Sequence, residues 1–97
     1  MEKRSNKYQL TLKLLKLSSG EEVNDIKMEL QFDNHDELFA IINRLQEKDP
    51  FEDKQQAAEF AIGLKMFSEV MLKNRKHPLF EELGTVFPTF IKKVKSL

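Results

Sequence analysis

Two short stretches hold the side chains best suited to proton transfer or metal binding. The first is His35-Asp36-Glu37; the second is LKNRKHPLF over residues 72–80, where Lys73, Arg75 and Lys76 lead into His77. Imidazole and carboxylate are the natural pairing for acid–base work and for a divalent metal. A metal or histidine-dependent enzyme would need His35, Asp36 and His77 to gather in one place. Neighbours in a helix point in different directions, and helical ligand pairs are spaced three or four apart, so His35-Asp36-Glu37 does not make such a site by itself. Capping of a helix start explains the same residues with less. Ser18, Ser19 and Ser68 have no glycine-flanked elbow and no positioned base, and Gly20 stands without the further glycines of a phosphate loop. No catalytic residue, metal ligand or cofactor is therefore assigned. His35, Asp36, Lys73, Arg75, Lys76 and His77 are kept as a candidate interaction surface.

The 72–80 stretch also has a plain backbone reading. Its cations fall in and just beyond the last turn of a helix, where free carbonyls and the negative end of the dipole favour positive charge by about 0.3 to 1 kcal/mol each. Pro78 suits the first position of the next helix, since its missing N–H would have gone unpaired there. The stretch reads as a junction between helices.

Ninety-seven residues fit one domain, with an ordered core expected over about residues 7–95, and that length supports a modest core without a metal or disulfide staple. The chain has no cysteine, which removes disulfides, thiolate chemistry and iron–sulfur or zinc–thiolate sites. MEKRSNKYQ at the start is too polar for a signal peptide, and no run of about 18 apolar residues spans a bilayer. A cytoplasmic location follows as the expectation.

Zero net charge conceals a layout. Residues 1–17 carry +4, residues 18–59 carry −8, residues 60–72 balance, and residues 73–97 carry +4. Nucleic-acid binding needs a basic face that replaces counterions along the phosphates, and the 73–77 and 92–95 segments are the candidates for one. Lys92, Lys93 and Lys95 also suit the end of a helix, and they belong to a short basic amphipathic tail that could touch an anionic surface.

These segments must be positioned by regular elements. Tyr8, Leu10, Leu12 and Leu14 alternate with polar residues, as do Ile26, Met28, Leu30 and Phe32, the period of strands with one apolar face. Leu15 and Leu17 fall on the other parity, which predicts a bulge near Leu14 or cover on both sides. A polar connection from Ser18 to Asp25 makes the pair an antiparallel hairpin. Asn34 and Glu37 form a capping pattern that starts a helix with Leu38, Phe39, Ile41, Ile42 and Leu45 inward and an end at Lys48-Asp49-Pro50. Asp53 and Gln56 open the longest helix, running to about Lys73 or Arg75. Its stripe is Ala57, Phe60, Ala61, Leu64, Phe67 and Met71, widened by Ile62, Met66 and Val70, and it includes a costly interior Gly63. Met66 and Met71 could form an adaptable groove, but packing is the simpler reading. Leu79 to Val94 keep a helical period through Gly84 and Pro88, so the last helix is kinked there or split by a turn and capped by Thr85.

The expected fold is α+β, a two-stranded antiparallel hairpin followed by three helices packed on one of its faces. FDNHDELFAIINRL (32–45) and GLKMFSEVMLKNRKHPLFEEL (63–83), with the YQLTLKLL opening, resemble the small bacterial family known as domain of unknown function 3861. The resemblance runs from about Tyr8 to Val94 and implies a free-standing bacterial protein without naming a substrate or cofactor. The function expected is a non-catalytic protein-interaction or regulatory module. Its partner is an unspecified protein or a second copy joined through the hairpin's unpaired edge.

Overall fold

Alternation in the first third of the chain produces a ribbon. The computed structural model describes residues 4–97; the first three, part of the polar opening, lie outside the described residues. Strand β1 (Asn6–Lys13) and strand β2 (Lys27–Asn34) pair antiparallel in a two-stranded sheet. Cross-strand partners are Tyr8 with Phe32, Leu10 with Leu30 and Leu12 with Met28, so one face of the ribbon is apolar along its whole length. The rings of Tyr8 and Phe32 stack at 5.4 Å.

Beyond Lys13 the pairing continues irregularly. Leu14 N–H donates to the Ile26 carbonyl at 3.0 Å, then Val23 N–H donates to Leu15 and a bridge joins Lys16 to Glu22. Asn24 and Asp25 intervene on the returning side, so the irregularity expected near Leu14 falls on the opposite segment. Leu15 and Leu17 are exposed, and cover on both sides is absent there. Gly20 closes the tip at φ +99°, a backbone region that glycine enters without steric cost.

Three helices follow the strands, giving the β-β-α-α-α order of an α+β fold. The chain divides into a hairpin unit ending at Asp36 and a helical unit beginning at Glu37. Helix α1 (Leu38–Lys48) starts later than the Asn34 cap predicts. Glu37 is the N-cap, its carboxylate accepting from the N–H groups of Phe39 and Ala40, while Asn34 is the last residue of β2. The stripe of Leu38, Ile41, Ile42 and Leu45 is centred about 100° away from Phe39. Phe39 is accordingly 65% exposed, contrary to its assignment to the buried face.

Helix α2 (Lys54–Lys73) opens where expected, with Asp53 Oδ1 accepting from Gln55 N–H at 2.9 Å and Gln56 N–H at 3.2 Å. Ala57 and Ala61 are buried against Leu45, with Ile41, Ile42 and Phe60 around them. Two alanines at that spacing leave no side chain to hold the helices apart. A reciprocal pair closes the α1–α2 corner: Gln46 Nε2 donates to the Lys54 carbonyl, and Lys54 Nζ to the Gln46 carbonyl, both at 3.0 Å. Between the helices Asp49 adopts φ +48° and caps α1 through its N–H to the Leu45 carbonyl at 2.9 Å.

Pro78–Phe80 form one 3-10 turn, and helix α3 (Leu83–Lys95) runs unbroken through Pro88. Thr85 therefore lies inside the helix, where its hydroxyl donates to the Glu82 carbonyl at 2.9 Å, instead of capping a separate one. Pro88 has no N–H for the Gly84 carbonyl one turn earlier, and Gly84 leaves open space beside the helix. Arg44 of α1 donates to the Lys95 carbonyl at 2.7 Å and satisfies one of the free carbonyls that end α3.

Candidate functional site

The Asn34-His35-Asp36 segment is a turn fastened to its own strands. Asp36 N–H donates to Asn34 Oδ1 at 2.9 Å, and the Asp36 carbonyl accepts from both the Tyr8 hydroxyl and Asn6 Nδ2 at 3.1 Å. Asn34 is buried where it closes this turn. His35 Nε2 lies 3.7 Å from Asp36 Oδ1 with its imidazole mostly in solvent, the geometry of a weak, exposed pair. Among the described residues, no three His, Asp or Glu side chains gather within reach of one metal ion.

In the helical unit, Lys73 closes α2, and Arg75 and Lys76 sit exposed in the turn beyond it. His77 caps the 3-10 turn, its Nδ1 accepting from Leu79 N–H at 3.0 Å, and Pro78 occupies the first position of that turn. The His77 ring lies 6.3 Å from that of buried Phe80. The structure thus brings His35 to Asp36, and Lys73 to Arg75, Lys76 and His77 along one turn, with backbone roles at Asn34, Asp36 and His77.

Ring contacts set the direction of α3 against α2. Phe60 meets Phe90, while Phe67 meets Phe87 and Phe80, so the two helices run antiparallel. The basic 73–77 turn consequently lies by the start of α3, and Lys92, Lys93 and Lys95 lie at its far end. Thirteen helical residues separate the two basic groups by about 20 Å.

What the described residues do offer is apolar surface. On the hairpin, Leu12 is 65%, Ile26 57%, Met28 51% and Leu30 39% exposed, all on the face set by the cross-strand partners. Single exposed leucines are ordinary, but a contiguous row is not. A second feature is a groove of about 580 Å³ between α2 and α3, lined by Phe60, Gly63, Leu64, Phe67, Val86 and Phe90 among others. Phenylalanines build it; Met71 is buried, in keeping with the packing reading. Alternation identified the hairpin's apolar face in the sequence. The groove left one signal there, an interior glycine in a helix, and no atom comes within 4 Å of where a Cβ on Gly63 would lie.

Comparison with known proteins adds a family without a function. No curated protein sequence matches the chain. A crystal structure of a protein of unknown function (eca1910) from Pectobacterium atrosepticum SCRI1043 is similar, at 31% identity and a TM-score of 0.82, covering 97% of this chain and all of that one. The profile of the domain of unknown function DUF3861 matches residues 6–96, the same span that forms the hairpin and the three helices, and the chain belongs to that family.

Proposed function

We propose that this chain is a non-catalytic protein-interaction module that binds through its hairpin and acts in the cytoplasm. The observation that carries the reading is the exposed row Leu12, Ile26, Met28 and Leu30 on one face of a two-stranded ribbon. A free hairpin is marginal in water, and a ribbon with an open apolar face and two open edges gains stability from whatever covers it. A partner strand added at an edge, with side chains meeting that face, is the mode of recognition this surface suits. The absence of cysteine agrees with a reducing compartment. Among the described residues no helix is long and apolar enough to cross a membrane.

The nucleic-acid reading has less support, because the 73–77 and 92–95 cations stand at opposite ends of α3 and do not form one stripe. The interaction surface at His35, Asp36, Lys73, Arg75, Lys76 and His77 remains secondary to the hairpin, since the His77 side chain and the Asp36 backbone are engaged in closing turns.

Capture of partners by the full chain tests the reading when compared with Leu12→Asp, which places a charge in the apolar row, and Gln9→Asp, which places one on the polar face opposite the neutral Gln31. Partners retained by wild type and Gln9→Asp but lost with Leu12→Asp are expected. Equal capture by all three, at unchanged far-ultraviolet circular dichroism, would remove the hairpin face as the binding surface.

A further inference from the structure

We infer that the outer edge of β2 pairs with the same edge of a second copy, in one register, to give a four-stranded sheet. The inference rests on the interaction reading above and names the partner. Because Leu14 N–H donates to the Ile26 carbonyl directly opposite it, alternation along an antiparallel pair points the N–H and C=O groups of Ile26, Met28, Leu30 and Phe32 toward β1. Those of Lys27, Glu29, Gln31 and Asp33 point to the open edge. No other strand is paired with β2 among the described residues.

An antiparallel pair of β2 strands related by a two-fold axis at Leu30 sets Lys27 opposite the partner's Asp33 and Glu29 opposite the partner's Gln31. Both are pairs in which the outward groups exchange hydrogen bonds. Leu30 then meets the partner's Leu30, and Met28 meets the partner's Phe32, so the apolar faces of two ribbons become continuous. Shifting by one ladder repeat in either direction puts Glu29 against the partner's Glu29 or against the partner's Asp33. Like charges directly opposite disfavour both shifts. The β1 edge has no such complement: its outward residues are Lys7, Gln9, Thr11 and Lys13, and the longest self-pairing sets Lys7 against the partner's Lys13.

A second feature of the ribbon points the same way. Within one chain Lys27 lies directly across from Lys13, a like-charge rung. The partner's Asp33 supplies the missing counter-charge on the same face, while the intrachain contact of Asp33 with Lys7, 3.5 Å between exposed groups, is weak. Two-fold pairing through one edge is closed, and it leaves the β1 edges as the only open ones of the new sheet.

Cysteine cross-linking tests the axis, because the chain has no cysteine of its own. Residues facing each other in a non-hydrogen-bonded antiparallel pair have Cα atoms about 4.5 Å apart, within disulfide reach. Under mild oxidation Leu30→Cys is expected to form a covalent dimer and Leu10→Cys, on the other strand, to stay monomeric. Sedimentation equilibrium gives an independent measure, with wild type at twice 11.4 kDa. Gln31→Pro blocks the β2 edge and should abolish association, whereas Gln9→Pro, its counterpart on β1, should leave it intact. Lys27→Asp should raise the dissociation constant about tenfold or more, with recovery when Asp33→Lys is added. A wild-type chain that remains monomeric at high micromolar concentration, equal cross-linking at both positions, or a dimer indifferent to Gln31→Pro overturns the inference. Any of these results leaves the capture experiment with Leu12→Asp to judge the interaction reading separately.

Discussion

Lys13 faces Lys27 across the last regular rung of the β1–β2 ladder. Like charges in directly opposed positions destabilise a sheet by up to about 1 kcal/mol. Lys13→Glu should therefore slow amide exchange around Leu14 and Ile26 by a few-fold relative to wild type. Unchanged exchange would mean that the two ammonium groups avoid each other at no cost.

Gly63 occupies the middle of α2 with nothing within 4 Å of where a Cβ would lie. Glycine in a helix interior costs about 1 kcal/mol relative to alanine. Gly63→Ala should raise the stability of the helical unit by about that amount in a urea titration followed by circular dichroism. A loss of stability would show that something fills the space in solution.

Asp49 combines two penalties in one residue. It holds φ +48°, which glycine or asparagine adopts more readily, and its Oδ1 is buried with no hydrogen-bond partner. Asp49→Gly relieves both and should stabilise by about 1 kcal/mol, read as a shift of the urea midpoint at constant slope.

Ala61 tests how closely α1 and α2 approach. It is 2% exposed, and its neighbours Leu45 and Ala57 are equally enclosed. Ala61→Leu should destabilise by about 1 to 3 kcal/mol because the added atoms have nowhere to go. Thermal melting would detect it, and a neutral result would mean that the two helices can separate.

Much of the secondary structure was legible because its signals are local. Period-two spacing places Leu10 and Leu30 on one face, and Asp53 ahead of Gln56 marks the start of α2 through two hydrogen bonds that any such pairing can make. The start of α1 was misplaced for an equally local reason. Asn34 and Glu37 are both competent caps, and the choice falls to Glu37 because the Asn34 side chain is committed to Asp36 N–H, with the Asp36 carbonyl held in turn by Tyr8 and Asn6. Those are contacts across some thirty residues, which spacing does not encode. Phe39 lies about 100° from the centre of the apolar stripe, at a margin where spacing alone does not decide burial. Exposure was the least legible property. Alternation says that Leu12 and Met28 share a face with Tyr8 and Phe32, but not that the row is half-buried at one end and open at the other.

The stacked pair at the base of the ribbon has a practical side. Tyr8 is the chain's one tyrosine and no tryptophan is present, so tyrosine fluorescence from this protein originates in the hairpin, while its helices dominate the peptide dichroism near 222 nm. Two optical channels can thus follow the two units side by side in one unlabelled sample.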